Sequence, residues 1–193
     1  MLEVTVTNLT YDQIISPPIA ILHDGRFHLF RAGMPASSEL AALAEDGMTG
    51  PLAGLVQVSS GVADYAIAGG GIMPGASVTL ELQGPGQAGL LSVAGMLVST
   101  NDAFIGMSGL AVPRDRSTRV INAPAYDAGS EVNTESCAHI PGPPCGNPGA
   151  RVTEGAEGFI HIHRGIRGDA ELDAGAKDWR NPAARITVRR VRG

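Results

Sequence analysis

Lysine is almost absent from this chain: Lys177 is the only one in 193 residues. With a net charge of −5, that scarcity excludes the broad basic face that neutralising nucleic-acid phosphates requires, so no nucleic-acid partner is expected. The basic residues that do cluster, Arg185, Arg189, Arg190 and Arg192, fall in a strand-like segment and read as a solvated face or as partners for acids. Aromatic residues make up only 4% and include a single tryptophan, Trp179, too little surface for a typical sugar cleft. Trp179, beside Asn181 and Pro182, reads as a packing anchor. No apolar run reaches the ~20 residues a membrane-spanning helix needs. Charged residues are sparse at 17%, whereas 26 glycines and 13 prolines are many, which favours turns and strands over long solvated helices.

There are only two cysteines. Cys137 and Cys145 bracket a Pro/Gly-rich loop with seven residues between them, and no third cysteine is present to build a zinc site of ordinary spacing. A short disulfide loop is the favoured reading, worth roughly 2–3 kcal/mol by constraint of the unfolded chain. It implies an oxidising compartment. The chain opens directly on strand-like sequence, so the expectation is a secreted, extracellular protein in its mature form, without its signal peptide and with Met1 as an added start.

The length suits one domain over residues 1–193. Residues 2–7 and 77–82 alternate apolar and polar side chains with the period of a half-buried strand. Residues 19–22 and 28–30 are further strand candidates, and strands resume from Ala63 after the helical stretch. A turn at Gly84-Pro85-Gly86 leads into the near-continuous apolar run 90–98, a central strand that delivers Asp102 to one end of a sheet. Residues 119–122 and 125–127, then 158–164 and 185–191, complete the strand pattern around an irregular loop over 133–155. Helical spacing of Leu40, Ala41, Leu43 and Ala44, a serine cap at Ser37 or Ser38 and a closing Gly47 predict one helix, and Pro51 opens a shorter second. The predicted class is therefore all-β, an antiparallel sandwich with one or two short helices.

Three acids stand out in turn-prone sequence. Asp127 and Glu131 lie four apart around Gly129, whose backbone freedom can fold both side chains toward one point, and Asp102 supplies a third arm. Converging carboxylates repel by on the order of 4 kcal/mol per pair at an effective dielectric of about 20, a penalty that a cation removes. All-oxygen ligands at irregular spacing suit a hard ion, and calcium tolerates irregular geometry better than magnesium. Scattered surface acids are the plain alternative.

At these residues the chain resembles the spondin amino-terminal domain family of extracellular-matrix spondins, mindin and bacterial secreted proteins. The animal domains carry Ser-Pro-Asp-Trp-Phe/Asn-Val-Gly and Asp-Ala-Gly-Thr-Asp segments; here they read Thr100-Asn101-Asp102-Ala103-Phe104-Ile105-Gly106 and Asp127-Ala128-Gly129-Ser130-Glu131. Similarity to the bacterial branch extends over Ser16-Pro17-Pro18, Leu91 to Met96, Glu157 to His163 and Asp178 to Pro182. The resemblance implies a C2-like β-sandwich without enzyme activity. It also implies calcium held by Asp102, Asp127 and Glu131, in a role of adhesion or surface interaction with an extracellular protein or carbohydrate. Glu131 stands where the family has aspartate, lengthening one ligand arm. Ala103 replaces its tryptophan, removing a large ring beside the site.

Two other functions compete. Glu157, Phe159, His161 and His163 are spaced by two, so in a strand all four share one face, and the two imidazoles would suit copper or another transition metal. Structural hydrogen bonds by those histidines are the alternative. A glycine-rich, lysine-poor sandwich could also self-assemble into fibres or sheets, with residues 2–7 as the exchanged strand. Catalysis has little to stand on: no Gly-x-Ser-x-Gly elbow occurs, the run Gly69-Gly70-Gly71 lacks a phosphate-binding lysine, and Asp127 and Glu131 sit too close in sequence to flank a glycosidic bond comfortably.

Overall fold

The structure, a computed structural model, describes residues 1–84 and 88–191. The Pro85-Gly86 part of the expected turn and Arg192 of the arginine cluster lie outside the described residues. In chain order the elements are β1 (Leu2–Asn8), β2 (Ile19–His23), α1 (Ser38–Asp46), α2 (Thr49–Val58), β3 (Val62–Ile67), β4 (Ser77–Leu82), β5 (Leu90–Met96), β6 (Ala103–Ala111), β7 (Thr118–Ala123), β8 (Ala125–Asp127), β9 (His161–Ile162), α3 (Ala174–Lys177) and β10 (Ala184–Arg190). They form two antiparallel sheets, one ordered β4-β1-β10-β7 and the other β3-β2-β5-β6-β8-β9. The protein is an all-β sandwich with a few short helices.

Period-two patterning decides the four-stranded sheet. Leu2, Val4 and Val6 of β1, Leu80 and Leu82 of β4 and Ile186 and Val188 of β10 point inward against Leu22, Leu91, Val93 and Ile105 of the second sheet. The opposite face meets water and carries cross-strand polar pairs: Thr5 with Thr79 at 2.8 Å, Thr7 with Ser77 at 2.8 Å, and Arg189 donating to Glu3 at 2.6 Å. Arg190 donates to the Pro113 carbonyl. Residues 2–7, the proposed exchange strand, lie within β1, whose two ladders run to β4 and β10; exchange would have to break both.

The six-stranded sheet is buried on both faces, which explains why β2 and β5 read as continuous apolar runs. Its outer face packs Ile19, Ile21, Ala94 and Phe104 beneath Leu40, Leu43 and Ala44 of α1 and Leu52 and Val56 of α2. Ser37 caps α1 by accepting from the Leu40 amide at 3.2 Å, and Gly47 closes it at φ 67°. Pro51 sits in the first turn of α2.

Residues 28–30 depart from the expected strand. Leu29 and Phe30 instead lay their side chains over the outer face of the sheet, with Phe30 edge-on to Phe104 at 5.3 Å, and the segment joins no ladder. The segment 158–164 also pairs less than expected. Only His161 and Ile162 form strand, because Gly158 at φ 77° and Gly165 at φ 88° turn the backbone away on either side. A four-residue helix, α3, begins where Asp173 accepts from the Gly175 amide. Trp179 is buried in the core between the sheets.

The loop over 133–155 is irregular apart from a 3-10 turn at Cys137–His139, and the Cys137–Cys145 disulfide closes it with Cα atoms 4.8 Å apart. Gly142 is pressed on the Val98 backbone so closely that no Cβ would fit, which seats the loop against the end of β5.

Candidate metal centre

The end of the six-stranded sheet where β6 begins and β8 ends gathers the acidic segments. Ala103 pairs with Asp127, and the Ala128 amide donates to the Asp102 carbonyl at 3.1 Å, so the two aspartates emerge on adjacent strands. Thr100 fixes the approach to Asp102 by donating to the Leu97 carbonyl and accepting from the Ala103 amide. Gly129 then turns the chain at φ 67°, where a Cβ would meet the Phe159 backbone; only glycine lets the two segments lie this close. Asp102, Asp127 and Glu131 are all buried, at 0%, 0% and 1% exposure.

Their oxygens are satisfied very unequally. Asp102 Oδ2 accepts from the Ser130 amide at 2.8 Å, the Glu131 amide at 3.0 Å and the Ser130 hydroxyl at 3.2 Å, while the buried Oδ1 has no hydrogen-bond partner. Burial and then the neighbouring Asp127 charge push the Asp102 carboxyl up to about 7. Asp127 is raised by burial, against the donors of Asn133 at 2.6 Å and Gly129 at 2.7 Å. Glu131 is pushed up to about 8 by burial, with Glu45 and Asp102 adding to the effect. It has only long contacts, from Asn101 Nδ2 at 3.4 Å and Arg151 Nε at 3.6 Å. Arg151 engages Glu45 and Asp46 of α1 more closely, at 2.5 and 2.8 Å.

The described residues bring one group of three ligand atoms within 4.8 Å of one another: Asp127, Glu157 and His161. Asp102 and Glu131 are not part of that group, so the expected trio of Asp102, Asp127 and Glu131 does not bring its ligand atoms as close together. At the start of the Asp102 segment the Ser99 carbonyl accepts from Gln13 Nε2 at 3.3 Å. The donor set still suits a hard cation, since Asp102 Oδ1 is a buried carboxyl oxygen without a donor among the described residues.

The two histidines differ in what they have left to offer. His163 accepts at Nδ1 from the Gly165 amide at 2.9 Å and donates from Nε2 to Asn133 Oδ1 at 2.8 Å, so both ring nitrogens are engaged. Burial pushes its pKa down to about 3, keeping the ring neutral. For His163 the structural alternative holds, which leaves no ring nitrogen for a His161–His163 ligand pair: His163 orients Asn133, which in turn holds Asp127. His161 donates from Nδ1 to the Ile162 carbonyl at 3.0 Å and leaves a buried Nε2 without a hydrogen-bond partner.

Sequence reasoning missed Asn133, Arg151 and Glu135. Glu135, buried at φ 54°, accepts from the amides of Arg167, Gly168 and Asp169 at 2.7–2.8 Å. Nothing local to Glu135 signals such pairing, because the three amides come from a segment distant in the sequence. No protein-family model and no curated protein matches this chain.

Proposed function

We propose that this protein is a secreted, non-catalytic calcium-binding sandwich of the spondin type. Asp102, Asp127 and Glu131 hold the ion, and the end loops around it present a surface for adhesion to an extracellular protein or carbohydrate. The observation that carries this reading is the Asp102 Oδ1 atom, a carboxyl oxygen buried beside a second buried carboxyl group, with no donor among the described residues to satisfy it. Leaving such a group unpaired costs several kcal/mol, and a hard cation removes that cost. Glu131, held only by long contacts, is free to turn a carboxylate oxygen inward. The Cys137–Cys145 disulfide supports an oxidising compartment, and the two acidic segments carry the spondin resemblance.

Calorimetric titration of chelator-treated protein with calcium tests the site. One ion per chain is expected, with binding lost in Asp102→Asn while the far-UV circular dichroism is unchanged. Equal heats from both proteins, or none from either, would overturn the reading.

A further inference from the structure

Beyond the calcium reading, and sharing only Asp127 with it, we infer that Asp127, Glu157 and His161 form a second metal site whose mixed nitrogen and oxygen donors suit zinc. Three facts converge there.

The first is the state of the His161 ring. A carbonyl can only accept, so the 3.0 Å contact between Nδ1 and the Ile162 oxygen places a proton on Nδ1, and in the neutral ring Nε2 keeps its lone pair. That lone pair is buried and faces Asp127 Oδ1 at 3.7 Å and Glu157 Oε1 at 3.9 Å. Both separations exceed hydrogen-bond length, so neither carboxylate is a hydrogen-bond partner for Nε2, and a metal ion at the centre would engage all three atoms.

The second is spacing. Ligands about 2.0–2.2 Å from a tetrahedral zinc stand about 3.3–3.6 Å apart, so the two separations from His161 Nε2, 3.7 and 3.9 Å, need to contract by only a few tenths of an ångström, and the third pair already lies within 4.8 Å. The third is the outer shell. His161 donates its other ring nitrogen to a backbone carbonyl, and Asp127 is oriented by Asn133, itself held by His163. These are the supports that metal-bound imidazoles and carboxylates use. The mixed donor set favours zinc or a neighbouring transition ion over calcium, which takes oxygen alone. Glu157 and His161 are part-exposed, leaving a fourth position open to water or to a donor from a partner.

Competition titration of the chelator-treated chain with zinc, against a chromophoric chelator, tests the site, and cobalt(II) substitution provides a second readout through visible d–d bands. One zinc per chain is expected. His161→Gln should weaken it about 100-fold and lose the cobalt bands, and Glu157→Gln should weaken it about tenfold, while both variants still bind one calcium. Asp102→Asn should do the reverse, losing calcium and keeping zinc, so failure of one site is read separately from failure of the other. Absence of zinc binding, or equal affinity in the wild type, His161→Gln and Glu157→Gln, overturns the inference.

Discussion

Glu135 and Asp102 are both buried carboxylates at the same end of the molecule, and the fold treats them in opposite ways. Glu135 has three backbone amides aimed at its two oxygens, from the consecutive residues Arg167, Gly168 and Asp169. Asp102 has three donors on one oxygen and none on the other. The first is a closed structural clamp that fastens the disulfide loop to the segment before α3. The second is an open valence in an otherwise well-packed region. Burial alone therefore does not single out a candidate site; burial with an oxygen left over does.

The largest effect that would sharpen this contrast is at the clamp. Glu135→Ala leaves three amides facing a void and should cost about 3 kcal/mol in urea unfolding, by the same amount with calcium or with chelator. A loss that appears only in calcium would erase the distinction between the two carboxylates. Asp102→Asn should be the gentle change. Its amide oxygen can keep the three donors of Ser130 and Glu131, so the ion-free protein should unfold within about 1 kcal/mol of the wild type, and only the increment that calcium adds should disappear.

Much of the sandwich was legible in the sequence, for a plain reason. Strands with one wet face announce themselves by alternation, as residues 2–7 and 77–82 do, and α1 carries its cap and its closing glycine locally. Asp102 and Asp127 were also readable as neighbours, since each sits at a strand end and the strands pair Ala103 with Asp127. Residues 28–30 misled because a segment that covers a sheet with Leu29 and Phe30 has the composition of a strand without its ladder. The His-x-His run misled for a different reason. Gly158 and Gly165 cut the strand to two residues, and the approach of Glu157 to His161 depends on that bend rather than on spacing by two. Asn133, Glu135 and Arg151 were invisible because their partners, the Asp127 and His163 side chains, the 167–169 backbone and α1, lie outside their own segments, contacts that no local pattern encodes.

The central claim is that the buried acids of this edge are stabilised by a hard ion, and proton linkage tests it most directly. In the ion-free fold, Asp102 is raised to about 7 and Glu131 to about 8, with Asp127, Glu45 and Arg151 as the charges facing them. The native state therefore keeps protons that the unfolded chain releases above about pH 4. Their stabilisation is full below that pH and is lost as pH rises through 7 and 8. Thermal unfolding between about pH 5 and pH 8.5, in chelator and in calcium, is the measurement. The midpoint should fall across this window in chelator and hold level in calcium, so that the stabilisation by calcium grows with pH; two parallel curves would contradict the account.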